Sequence, residues 1–332
     1  MTKLFIGPMS KNIVDTVIKY CRENKVNIGL LPSRRQIEFD GGYVNNWRTH
    51  DFIKYVSKSS HVTLQRDHAG PLQGKDPDDG TESLILDASL GFDYLHIDPW
   101  KAHPELEDGI RETIKLIKLC NDVNPNCSYE IGTEQAIRPY SAAELETIIT
   151  SVKEGLGEKL FSAVAYAVIQ GGTGIEGTRN IGKFDTSKCS QMIDICVSHD
   201  LMSKEHNGDY LTPDDIKMRF KLGLSAINIA PEFGVIETQC ILEEILNHFD
   251  EESLNKFYKL CHDSEKWVKW LPSSINCCTN EMKKHVIIRT SGHYVFASEE
   301  FKALKAKFPG VDEKIQRRIC QRIEEIMCAT KL

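Results

Sequence analysis

Two kinds of hydrophobic pattern alternate along this chain. Short apolar runs rich in β-branched residues occur at Lys3–Gly7, Val26–Leu31, Val62–Arg66, Tyr94–Ile97, Ser128–Ile131, Ala163–Ile169, Leu201–Lys204 and Ala226–Ile229, eight in all. Several are nearly continuous, the pattern of parallel strands covered on both faces. Between them, apolar residues recur at helical spacing behind recognisable helix starts. Ser141-Ala-Ala-Glu144 is a capping box, and Thr212-Pro213-Asp214-Asp215 offers an N-cap, a proline at the first helical position and an acidic first turn. His103-Pro104-Glu105 repeats the proline logic. Eight β–α alternations without a long break predict an α/β protein built as a (β/α)8, or TIM, barrel. An open doubly wound sheet is the alternative, because counting strands does not show closure.

The pattern changes near Phe249. Glu251–Trp270 reads as helix with Trp267 and Trp270 able to share a face, Pro272–Asn280 as loop, and His285–Thr290 as a short β-prone run. A closing helix aligns Val311, Ile315, Ile319, Ile323 and Ile326 in one apolar stripe, which must pack on something. The expected division is a barrel over residues 1–249, carrying the active site, and a mainly helical C-terminal extension over residues 250–332. That extension is expected to pack on the barrel or at a subunit interface.

Composition narrows the function classes. Of 332 residues, 41 are basic and 48 acidic, a formal net charge of −7, so no sequence-wide basic field serves nucleic acid or an anionic membrane. The longest uninterrupted apolar run, Ala163–Ile169, falls far short of the roughly 20 residues that span a bilayer. Met1-Thr2-Lys3 leads straight into the first strand without a signal-peptide core, so a cytoplasmic protein is expected. Eleven scattered cysteines form no C-x-x-C pair, which predicts reduced, mostly buried thiols and argues against thiolate-held zinc. The neighbours Cys277-Cys278 read as a core-and-loop pair ahead of a redox pair.

In a (β/α)8 barrel, catalytic groups come from the carboxyl ends of the strands. Seven of the eight predicted ends carry polar groups: Ser33-Arg34-Arg35, Asp67-His68, Asp98, Glu130 with Glu134, Gln170 with a glycine-rich loop, Glu205-His206-Asn207, and Asn228. Two imidazoles and a carboxylate, from His68, His206 and Glu130, form a plausible catalytic zinc set with an open position. Asp98 could equally cap the next helix, and His96, inside the fourth strand, reads as a core histidine. Arg34 and Arg35 suit a phosphate or carboxylate, which guanidinium binds bidentately. Gly172, Gly174 and Gly177 have G-x-G-x-x-G spacing, but no helix opens behind them. An anion cradle of backbone amides with Arg179 nearby fits that loop better than a dinucleotide site.

These motifs also carry a resemblance. Glu205-His-Asn-Gly-Asp-Tyr210, the helix after it and Gly223-Leu-Ser-Ala-Ile-Asn-Ile-Ala-Pro-Glu232 resemble the end of class II, zinc-dependent ketose-bisphosphate aldolases. Gln36–Tyr43, Arg66-Asp-His-Ala-Gly-Pro71, Tyr129-Glu-Ile-Gly-Thr-Glu134 and His285–Phe296 are similar to the Z-type subunit of tagatose-bisphosphate aldolase, in order along the chain. The resemblance implies Asp67 as general acid/base, His68 and His206 as ligands of Zn²⁺ or another divalent metal, and Glu130 or Glu134 as a carboxylate beside the metal. Gln170 stands where the aldolases carry a further ligand histidine and takes that place as a poorer ligand. Asn228 would meet the substrate's enediolate, with Ser33, Arg34, Arg35, Asp98, Gly172, Gly174, Arg179, Asn207 and Asp209 as further substrate contacts. Arg289 or His293 of the extension would reach the barrel mouth. The implied activity is cleavage or formation of a carbon–carbon bond in a phosphorylated or acidic ketose. The implied assembly is a homo-oligomer or a complex with a related aldolase subunit. A non-catalytic subunit stabilising a partner aldolase, and a metal-dependent sugar or sugar-acid epimerase, are the alternatives.

Overall fold

The computed structural model describes residues 2–57, 59–271, 275 and 279–331. The strands are β1 (Leu4–Ile6), β2 (Ile28–Leu30), β3 (Val62–Ala69), β4 (Tyr94–Ile97), β5 (Ser128–Ile131), β6 (Val164–Ile169), β7 (Ile175–Glu176), β8 (Arg179–Asn180), β9 (Met202–Glu205) and β10 (Ala226–Ile229). All but β7 and β8 form one closed parallel barrel, in which β1 pairs with both β2 and β10. Closure decides between the barrel and the open sheet in favour of the barrel. The short pair β7–β8 is an antiparallel hairpin inside the glycine-rich loop, which accounts for the absent helix there.

The helices are α1 (Lys11–Asn24), α2 (Thr49–Val56), α3 (Thr81–Leu90), α4 (Leu106–Val123), α5 (Ala142–Leu156), α6 (Glu158–Phe161), α7 (Thr186–Ser198), α8 (Pro213–Lys221), α9 (Pro231–Asn247), α10 (Glu251–Asp263), α11 (Asn280–Ser291), α12 (Glu299–Lys305) and α13 (Val311–Ala329). Both expected capping boxes form, Ser141 with Glu144 on α5 and Thr212 with Asp215 on α8, where Pro213 takes the first helical position. Pro104 does not repeat that role: α4 is capped by Glu105, so the proline lies just outside the helix.

The extension departs further from its sequence pattern. The helix expected over Glu251–Trp270 ends at Asp263, and a separate 3-10 turn covers Val268–Trp270. Trp267 Nε1 donates to the His262 carbonyl at 2.9 Å and Trp270 Nε1 to Tyr294 Oη at 3.1 Å, so the two indoles serve different neighbours. The β-prone run His285–Thr290 is helical, inside α11. Burial of Ile287 and Ile288, with α11 packed on α9 and α10, overrides the β preference of the branched residues. Cys277 and Cys278 lie outside the described residues, as does most of the expected loop around them. The stripe Val311, Ile315, Ile319, Ile323 and Ile326 is buried against α1, α8 and α9, within the chain itself. Among the described residues no helix is long and apolar enough to cross a membrane, and every cysteine is a free thiol, most of them buried.

Candidate active site

Side chains inside the barrel form layers. Phe5, Tyr94 and Tyr166 meet edge to face, with centroids 5.3 to 6.5 Å apart, as an aromatic floor. Lys204 lies above them, its Nζ 3.4 Å from the Phe5 ring centroid, and donates to Glu130 Oε2 at 2.9 Å and to Gln65 Oε1. Lys204 and Glu130 have no exposed surface, and a bare carboxylate so deep would be costly without its cation. Glu130 was expected in the site but Lys204 was not: in the sequence it only ends the run Leu201–Lys204, 74 positions from the carboxylate it meets.

Above that layer sit the groups the strand ends predict. The apolar pattern stops at Arg66, but β3 continues to Ala69 with a register shift between Arg66 and Ala69, and His68 adopts φ +45°. Consecutive strand residues normally point to opposite faces; a bulge and a left-handed residue re-aim one of them. Asp67 and His68 thereby reach the same cluster. His68, His96 and His206 gather with ring centroids 4.8 to 5.5 Å apart. His96 is thus no mere core residue. Its register opposite Glu130 turns it to the inward face of β4, a placement that strand pairing decides.

Each imidazole is held by an acceptor. His68 Nδ1–H donates to Asp98 Oδ2 at 2.5 Å, His206 Nε2–H to Glu130 Oε1 at 2.6 Å, and His96 Nε2–H to the Gly132 carbonyl at 3.0 Å. For His68 and His206 this leaves the other ring nitrogen available to a ligand, the arrangement of carboxylate–histidine–metal sites, whereas His96 Nδ1 accepts from the His68 backbone N–H at 3.2 Å. His68 Nε2 lies 3.8 Å from Asp67 and 3.7 Å from Glu134, and Asn207 Nδ2 donates to Glu134 Oε2 at 2.7 Å. Burial alone would raise the Asp67 carboxyl; His68, with His96 and His206, outweighs it and holds the group at about 2. His68 shows the converse: burial opposes its charge, but Asp67, Asp98 and Glu134 raise it well above the ordinary histidine range.

The donor set fits a divalent cation. One ligand atom each from Asp67, His68 and His206 lie within 4.8 Å of one another, as do those of His68, His96 and Asp98, and of His96, Glu130 and His206. Asp67 Oδ1 and both amide atoms of Asn228 are buried without a hydrogen-bond partner. Asn228 follows Ala226 at a spacing of two on β10, so alternation turns it into the same lumen. Unpaired buried polar groups of this kind carry a desolvation cost of roughly 1–3 kcal/mol each until a ligand or water meets them.

Other predicted residues have different partners. Gln170 Oε1 accepts from Tyr140 N at 3.0 Å and its Nε2 donates to the Thr133 and Arg138 carbonyls, so both ends of the amide are engaged in bracing a loop. Arg34, 1% exposed, is committed to Glu38 at 2.6 Å and to Asp78. Asp209 Oδ1 accepts from Ala230 N and Glu232 N at 2.9 and 2.8 Å, closing the start of α9; burial and the nearby Glu232 push its carboxyl up to about 8. Gly174 N donates to Asn180 Oδ1 at 3.2 Å, Gly172 holds φ +106° against the Lys183 carbonyl, and Arg179 is exposed, so the glycine loop is a hairpin brace and not an open cradle. Ser33 bridges to Asp67 across β2 and β3, and its N–H donates to Gln36 Oε1. Arg35 borders a cavity of about 730 Å³ at the mouth. His293 packs on Tyr43 and Tyr294, whereas Arg289 lines a different cavity with Tyr210 and Glu232.

No protein-family model and no curated sequence matches this chain. Solved structures do match its fold. A crystal structure described as a probable tagatose 6 phosphate kinase from Sinorhizobium meliloti superposes with a TM-score of 0.81 at 16% identity, covering 99% of this chain and 100% of that one. The fructuronate-tagaturonate epimerase UxaE from Cohnella laeviribosi gives 0.68 at 11% identity, covering 99% of this chain and 81% of its own. The fructose-bisphosphate aldolase of Campylobacter jejuni gives 0.61 at 13% identity, with 100% and 92% covered. The chain therefore shares the barrel fold of these three structures.

Proposed function

We propose that this chain is a metal-dependent carbon–carbon lyase of the class II aldolase type, acting on a ketose that bears an anionic group. The observation that carries the reading is the unpartnered Asp67 Oδ1, buried beside three imidazoles and facing a lumen it shares with the unpartnered Asn228 amide. His68 Nε2 and the free ring nitrogen of His206 would hold the ion, with a carboxylate from Asp67 or Glu134 beside them. When bound, such an ion supplies Lewis-acid polarisation of the ketose carbonyl. Asp67, held ionised, takes the proton of the substrate hydroxyl as the adjacent carbon–carbon bond breaks, and returns it to the aldehyde oxygen in condensation. The Asn228 amide donates to the oxygen on which negative charge develops. Asp98 and Glu130 fix the rings they touch and bear no proton of the reaction.

Asp67→Asn should lower cleavage of a ketose bisphosphate, followed by coupled aldehyde detection, by at least about 10³-fold with circular dichroism and bound metal unchanged. Undiminished turnover would overturn the assignment.

Epimerisation is the second reading, favoured by one observation: two carboxylates, Asp67 and Glu134, both approach His68 Nε2, at 3.8 and 3.7 Å. Two carboxylates at one centre suit a reaction in which one removes a proton and the other returns it. Product analysis separates the readings, since epimerisation keeps the carbon skeleton and cleavage yields two fragments. Phosphoryl transfer, the activity named for the Sinorhizobium protein, has less support, because the amide of Gly174 is already taken by Asn180. A partner-stabilising subunit has less support too, because the stripe that would form its interface is covered by α1, α8 and α9.

A further inference from the structure

The glycine-rich loop after β6 is no anion cradle, but two of its side chains grip the backbone beside His206. Thr173 Oγ1 donates to the His206 carbonyl at 2.8 Å, and Asn180 Nδ2 donates to the Asn207 carbonyl at 3.0 Å and to the Asp209 carbonyl at 2.9 Å. The other end of the Asn180 amide holds its own hairpin, Oδ1 accepting from Gly174 N at 3.2 Å and Gly182 N at 3.1 Å. Two carbonyls at one end and two N–H groups at the other fix which way the amide faces and use all four of its hydrogen-bonding positions. The Nδ2 bonds leave the hairpin altogether, so they contribute nothing to its own closure.

The gripped segment is one that needs holding. Asn207 has φ +55° and Tyr210 φ +60°. Asparagine tolerates the left-handed region, but a bulky residue such as Tyr210 enters it rarely, and keeps it only where the surroundings over-determine the backbone. Gly208 N donates to the Asn228 carbonyl at 2.9 Å and Tyr210 N to Glu232 Oε2 at 2.7 Å. Thr173 and Asn180 take carbonyls that alternate with those amides. What the segment carries is chemical: His206 meets Glu130, and the Asn207 amide meets Glu134, whose carboxylate lies 3.7 Å from His68 Nε2. A displacement of this backbone therefore reaches an imidazole and a carboxylate together.

We propose that Asn180 is a positioning residue of the site, clamping His206–Tyr210 with the help of Thr173 so that His206 and Glu134 keep their places around His68. The clamp itself is a property of the chain's own backbone; its consequence for a metal rests on the lyase reading.

Asn180→Asp separates the two ends of the amide. It keeps an acceptor for Gly174 and Gly182 and sets a second oxygen against two carbonyls, so the hairpin stays and the clamp opens. In the chelator-treated protein, hydrogen–deuterium exchange should rise about 10-fold or more at the Gly208 and Tyr210 amides. It should stay level at Ile181, whose N–H donates to the Gly174 carbonyl at 2.8 Å within the hairpin. Zinc affinity, from a competitive chelator titration, should fall about 10-fold or more. Thr173→Val should move both readouts in the same direction by less, and Ile181→Ala, which trims an exposed side chain of the same hairpin, should move neither. Unchanged exchange at Gly208 and Tyr210 in both Asn180→Asp and Thr173→Val, or an equal rise in Ile181→Ala, would overturn the clamp. Faster exchange with zinc affinity unchanged would overturn the positioning role and leave a structural brace. An unsubstituted protein that binds no zinc, with exchange still faster in Asn180→Asp, would overturn the metal reading and leave the clamp standing.

Discussion

At the scale of single residues, the site depends on which atom of each side chain is already spent. Asp98 occupies Nδ1 of His68, Glu130 occupies Nε2 of His206, and those bonds decide which nitrogen of each ring faces a ligand. Arg34, Gln170 and Asp209 match the expected chemistry by type but have spent their donors and acceptors inside the protein. Asp98→Asn keeps the shape but removes the charge that braces His68. It should weaken zinc binding roughly 10- to 100-fold in a competitive chelator titration, with folding unaffected. An unchanged affinity would place His68 outside the metal set.

At the scale of elements, β3 and α13 matter most. The bulge in β3 brings Asp67 and His68 to one cluster, and a one-residue repair of it would send one of them away. The α13 stripe binds the extension to the barrel, reinforced at its rim by Glu243 of α9, which pairs with Arg318 at 2.7 Å and Lys314 at 3.1 Å. Partial burial would raise the Glu243 carboxyl, but Arg318, Lys314 and Gln239 together hold it at about 2. A depressed carboxyl stabilises the fold in full above its ordinary value of about 4.3 and loses that contribution as pH falls toward 2. The thermal midpoint should therefore fall across roughly pH 4.5 to 2, and Glu243→Gln should flatten that fall. Equal slopes in the two proteins would remove Glu243 as the cause. Salt should reduce the difference, since the pair is partly exposed.

At the scale of the whole molecule, metal binding as proposed would be linked to the fold, because the proposed ligands His68 and His206 come from β3 and the loop after β9, separated in sequence and brought together only in the closed barrel. Zinc at about 100 times its dissociation constant would stabilise the native state by about 2.7 kcal/mol, which in a chain of this size raises the melting temperature by about 4 °C. The shift should vanish in a His68→Ala, His206→Ala double variant followed by scanning calorimetry. A shift that survives both substitutions would place the metal elsewhere.

The eight strands, both capping boxes and the apolar stripe of α13 were legible in the sequence because each depends on periodicity and on neighbours a few residues away. Asp67, His68, Glu130, His206 and Asn228 were legible as strand-end groups for the same reason. Tertiary structure alone decided closure of the barrel, since it depends on β1 meeting β10 across more than two hundred residues. It alone drew His96 into the cluster, turned His285–Thr290 into helix, and spent Arg34, Gln170 and Asp209 on internal bonds. A side chain's type and spacing are local properties; whether its hydrogen-bonding atoms remain free is settled by partners that only the folded chain brings near.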